Sequence, residues 1–80
     1  MNTLHDDVLS FSRKFGCAIG TTPAVPDAAT VALRCKLIAE GFEELSEAMA
    51  SGDLVQIAKE ASDLKYVTEG MLIAYGIDSR

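Results

Sequence analysis

The sequence predicts an all-α protein: an antiparallel helical hairpin plus a short N-terminal helix, assembled with further copies into an oligomeric helical bundle. Apolar residues recur at helical spacing through two long segments. Both prolines fall in one short stretch, so neither long segment is interrupted. No apolar–polar alternation marks a strand. Eighty residues make a single small domain, 1–80, and such a chain buries only about 60% of its unfolded surface. With 49% apolar residues, the chain carries more apolar surface than one small globule hides. A homodimer or homotetramer is the expected way to cover it.

The elements follow in order. Thr3 caps a short helix, Asp6 and Asp7 suit its first turn, and Leu4, Val8, Phe11 and Phe15 form its apolar face. Gly16 ends it, and residues 16–27, with two glycines and both prolines, form a loop. Asp27 caps the first long helix, which runs to about Ala50 and contains Gly41. Ser51 and Gly52 make a tight turn, and Asp53 caps the second long helix, which ends near Gly76. At about 100° per residue, Val31, Cys35, Ile38, Phe42, Leu45 and Met49 form one packing seam. Leu54, Ile57, Ala61, Leu64 and Met71 form the facing one. His5, Glu43, Glu47, Glu69 and Tyr66 are expected on the surface.

Four acids break this division. Glu40 and Glu44 continue a stripe begun by Leu33 and Leu37, while Glu60 and Asp63 share a stripe with Val67, Gly70 and Ala74. The tight turn brings the two pairs to roughly the same level. Two carboxylates about 6 Å apart repel by roughly 3 kcal/mol at an effective dielectric of about 20. Inward acids of this kind need a partner, and the chain has only seven Lys and Arg. Arg34 is the best-placed cation, as a counter-ion or a substrate-binding residue. A shared divalent ion held by Glu40, Glu44, Glu60 and Asp63 is the simplest solution. An all-carboxylate donor set suits Mg²⁺ or Mn²⁺, and the absence of histidine from both long helices argues against zinc.

These acids carry a resemblance. The family signature E-E-x-x-E followed by E-x-x-D is matched by Glu40-Gly41-Phe42-Glu43-Glu44 and Glu60-Ala61-Ser62-Asp63. With the opening FSRKFG and the proline-bearing loop, the chain resembles the all-α nucleotide pyrophosphohydrolases, the MazG-like and phosphoribosyl-ATP pyrophosphohydrolase-like proteins, over nearly its whole length. Gly41 stands where that signature has its second glutamate. The resemblance implies hydrolysis of a nucleoside triphosphate to the monophosphate and pyrophosphate, with house-cleaning of noncanonical nucleotides as one role. It also implies that Glu40 activates water and touches metal, while Glu44, Glu60 and Asp63 bind the ion. Gly41 leaves a second reading, a helical module that binds nucleotide or metal without turnover.

Composition narrows the partners. A net charge of −5 argues against binding a nucleic-acid polymer, which requires clustered Lys and Arg. Cys17 and Cys35 fit no zinc or disulfide framework, and Cys35 reads as a packing residue. No basic stretch followed by an apolar run opens the chain, and no segment reaches the roughly 20 apolar residues of a membrane span. A cytoplasmic, membrane-free protein is the expectation.

Overall fold

The computed structural model describes residues 3–80 and contains three helices, α1 (Leu4–Phe15), α2 (Ala28–Ser51) and α3 (Leu54–Ala74). The expected all-α hairpin with its short leading helix is present. The caps are local and lie where the sequence places them. The Asp6 amide donates to Thr3 Oγ1 and the Thr3 amide to Asp6 Oδ2, closing a capping box at the start of α1. The Thr30 amide donates to Asp27 Oδ1 at 2.8 Å, and hydrogen bonding from Thr30 holds the Asp27 carboxyl below its ordinary pKa. At the hairpin turn Gly52 adopts φ 74°, a left-handed conformation that glycine enters without strain. Asp53 Oδ1 then accepts from the Val55 and Gln56 amides, starting α3.

α2 and α3 pack along their lengths, whereas α1 packs only on α3 and makes no interface with α2. The C-terminal half of α3 is thus held from two sides. Its Glu69, Gly70, Ile73 and Ala74 are buried together with His5, Val8 and Ser12 of α1. Burying a side chain such as Val8 is worth roughly 1.5–3 kcal/mol. The loop after α1 crosses the end of α3, where the Gly20 amide donates to the Ile73 carbonyl and the Ala24 amide to the Tyr75 carbonyl, both at 2.9 Å. The C-terminal residues return to α1, with Arg80 Nη1 3.1 Å from Asp6 Oδ1.

Several side chains lie elsewhere than their projection indicates. His5 and Glu69, expected on the surface, are only 9% and 6% exposed, and His5 Nδ1 lies 3.2 Å from Glu69 Oε1. Ser79 Oγ donates to the same carboxylate oxygen. Tyr66 is half-buried, meeting Phe11 edge-to-face. On α2 the expected seam holds for Val31, Ile38 and Leu45 but not for Cys35, Phe42 and Met49, which are exposed. The seam on α3 holds for Ile57, Ala61, Leu64 and Met71, while Leu54 is 79% exposed.

Small residues explain the shift on α2. The helices close on Gly41, where an added Cβ would stand 3.0 Å from Leu64 Cδ1, and Ala48 is buried further along. The contact line therefore follows Ile38, Gly41, Leu45 and Ala48, leaving Phe42 and Met49 outside it. No helix is long and apolar enough to cross a membrane among the described residues.

Candidate active site

The antiparallel register sets Gly41 opposite Leu64. The same register brings Glu44 of α2 beside Glu60 of α3. Hydrogen bonding to Glu60, then the charge of Glu60, raises the Glu44 carboxyl above its ordinary pKa, and Glu40 adds repulsion in the same sense. Glu60 is the most enclosed of the four acids, its side chain 12% exposed. One of its oxygens, Oε2, is buried without a hydrogen-bond partner while both glutamates are ionised, and a proton held between Glu44 and Glu60 is the only donor that the pair itself can supply. An orphaned carboxylate oxygen beside a second carboxylate is costly, and proteins rarely retain one without a use for it.

Lys59 partly answers that charge. Its Nζ lies 3.3 Å from Glu60 Oε1, and this hydrogen bond, followed by the charges of Glu60 and Asp63, raises the lysine pKa. The side chain is mostly in solvent, so it can swing away. Lys59 escaped the sequence reading because it projects beside the acid stripe, although its place next to Glu60 was a usable signal. Contrary to the inward placement expected of all four, Glu40, Glu44 and Asp63 are exposed. Among the described residues no three His, Cys, Asp or Glu side chains stand together in a ready metal-binding group. The structure thus brings Glu44 and Glu60 together, with Glu40 and Asp63 contributing charge from the margins.

Arg34 is not a counter-ion for these acids. Among the described residues it makes no ion pair, and its Nε is buried without a partner. The guanidinium lies over Gly70 of α3 instead. Position 41 faces the hairpin interior, so a glutamate there would meet Leu64 before it reached solvent. Gly41 is a packing residue where α2 meets Leu64 of α3.

The helical hairpin and its paired acids define the class of all-α pyrophosphohydrolases. Within that class, residues 8–80 match the family described as phosphoribosyl-ATP pyrophosphohydrolase, and the chain belongs to that family. Comparison with curated proteins finds no match.

Proposed function

We propose that this chain is a divalent-metal-dependent nucleoside triphosphate pyrophosphohydrolase, releasing a nucleoside monophosphate and pyrophosphate. The observation that carries the reading is the Glu44–Glu60 pair across the hairpin, with one Glu60 oxygen buried and unpartnered. A carboxylate-only donor set fits Mg²⁺ or Mn²⁺, and the orphaned oxygen fits a ligand awaiting a cation. Glu40, Glu44, Glu60 and Asp63 are the residues that would hold the ion. When bound, it supplies neutralisation of the triphosphate charge and polarisation at phosphorus.

The chain's own residues supply the rest. Glu44 and Glu60, on two packed helices, fix the level at which the phosphates sit. Lys59 releases Glu60 when the positive charge there is supplied otherwise. Glu40 orients the attacking water and takes its proton. The water oxygen bonds to the α-phosphorus, the bond from that phosphorus to the α–β bridging oxygen breaks, and pyrophosphate leaves with the bond's electron pair. Arg34, two to three turns away along α2, binds the substrate away from the reacting phosphorus.

A homodimer or homotetramer completes the proposal. Phe42 is 66% exposed on α2, and Met49, Leu54 and Val55 are exposed nearby at the hairpin tip. Large apolar side chains left in solvent along the hairpin are suited to covering by another copy. The test is pyrophosphate release from standard and modified nucleoside triphosphates with Mg²⁺, with Mn²⁺ and with chelator. Metal-dependent release that disappears in Glu60→Gln is expected. Metal binding without release from any substrate would make the chain a binding module instead.

A further inference from the structure

Because α1 and α2 both pack on α3 but not on each other, a groove of about 510 Å³ opens between them. Val8 and Phe11 of α1, Leu33 and Leu37 of α2, and Val67 and Gly70 of α3 contribute to its lining. On α2 and α3 these are members of the same stripes that carry the acids. The groove and the acid pair are therefore two stretches of one surface. Tyr66 meets Phe11 edge-to-face at 5.8 Å, giving the groove an aromatic side.

Arg34 brings a charge into this apolar setting, with a buried Nε that has no acceptor. The guanidinium can lie there because residue 70 has no side chain. A Cβ on Gly70 would stand 2.7 Å from Arg34 Nη1 and 3.5 Å from Cζ. Glycine inside a helix is unfavourable relative to alanine, so the missing side chain calls for a packing cause, and Arg34 is the one too close for a Cβ, Val8 Cγ1 standing at an ordinary 3.8 Å. Arg34 lies six residues before Glu40 and ten before Glu44, or about 9 and 15 Å along the helix axis. Gly70 lies at a matching distance from Asp63 and Glu60 on α3. A ribose and triphosphate chain bridges such a separation.

We propose that Gly70 is a positioning residue that seats the Arg34 guanidinium in this groove, where it donates to an acceptor on a nucleotide's base. Resting on the pyrophosphohydrolase reading, this places the phosphates at the acids and the nucleoside between α1 and α2. Arginine offers donors only, so it selects base edges bearing a carbonyl oxygen or an unprotonated ring nitrogen.

Calorimetric titration of the metal-free protein with AMP, CMP, GMP and UMP tests the proposal separately from turnover. The wild-type chain is expected to bind at least one of them, and Arg34→Gln to weaken that binding about tenfold. Gly70→Ala should weaken it similarly, yet have no further effect in the Arg34→Gln background, because its action runs through the guanidinium. Unchanged affinity in Gly70→Ala, or additive losses in the double variant, overturns the proposal. Should Gly70→Ala alone fail to fold, Arg34→Ala in the same chain is expected to restore the melting transition, and failure to restore it counts against the proposal. If the wild-type chain binds monophosphate in this pattern but releases no pyrophosphate, the hydrolase reading fails while the groove assignment stands.

Discussion

The two halves of α3 face different surroundings. The C-terminal half lies between α1 and α2, and its Glu69, Gly70, Ile73 and Ala74 are buried. The N-terminal half lies against α2 and carries the exposed Leu54 and Val55 on the same half-helix as Glu60 and Asp63. Each half contains a glutamate removed from solvent, and the contrast between them is instructive. Glu69 Oε1 is held by both His5 and Ser79, whereas Glu60 Oε1 meets only the solvent-exposed Lys59 and its Oε2 is buried without a partner. A buried acid bonded by two separate segments ties them together. An acid left short of partners, next to another acid, is poised for a ligand.

The largest effect should come from the unsatisfied acid. Glu60→Gln is expected to lower metal-dependent kcat/KM by about 100-fold or more, since even groups that merely support metal ligands cost 10–100-fold. Its metal-free melting temperature should not fall, because the change removes repulsion with Glu44. A variant that loses stability and keeps activity would erase the distinction between the halves.

The opposite pattern belongs to the other half. His5→Ala removes a partner from a buried carboxylate, and leaving such a group short of a hydrogen bond costs roughly 1–3 kcal/mol. Urea unfolding should show that loss, with kcat of the remaining folded protein near wild type. A large fall in kcat with unchanged stability would place His5 in the chemistry.

The pH dependence sharpens the comparison. Glu44 is raised by its hydrogen bond with Glu60, then by the charge of Glu60, so the folded chain holds a proton there more tightly than the unfolded one. That stabilisation is complete below about 4.5, the ordinary glutamate value, and is lost as pH rises through the folded value. The carboxyls of Asp6, Asp27 and Asp78 are lowered instead, so their contribution is lost at more acid pH. Metal-free melting temperature should therefore drop as pH rises from about 4.5 through the raised Glu44 value, and the drop should shrink in Glu44→Gln. An equal drop in both proteins would remove Glu44 as its source.

Gly41→Ala should have the smallest effect. Alanine gains up to about 1 kcal/mol over glycine in a helix, and the one tight contact of the added Cβ is with Leu64 Cδ1 at 3.0 Å, Leu64 Cβ and Cα standing at an ordinary 3.7 and 3.8 Å. Leu64 borders open space with Leu45 and Ala61 and can yield. Unfolding should show stability equal to wild type or a few tenths of a kcal/mol above it. A marked loss would mean that the α2–α3 approach tolerates no adjustment.

What the sequence disclosed follows the range of the interactions. Thr3, Asp27 and Asp53 bond amides two or three residues away, and Gly16 and Gly52 end their helices locally. Those boundaries were readable. The approach of Glu44 to Glu60 needed only helical spacing and a tight turn. The seam of α2 was partly hidden because the contact line runs through Gly41 and Ala48, which an apolar pattern underweights, while bulky Phe42 and Met49 drew it aside. His5 and Glu69 are 64 residues apart, and no single-helix projection brings them together. Gly70 was visible in the acid stripe, but its relation to Arg34 depends on packing between helices.

The central claim is that the acids of the open half hold the ion while the buried acid of the clamped half does not. Mn²⁺ titration of metal-free protein, followed by electron paramagnetic resonance, tests it in wild type, Glu60→Gln and Glu69→Gln. Binding that is lost in Glu60→Gln and retained in Glu69→Gln is the predicted result. Binding unaffected by Glu60→Gln would contradict the account.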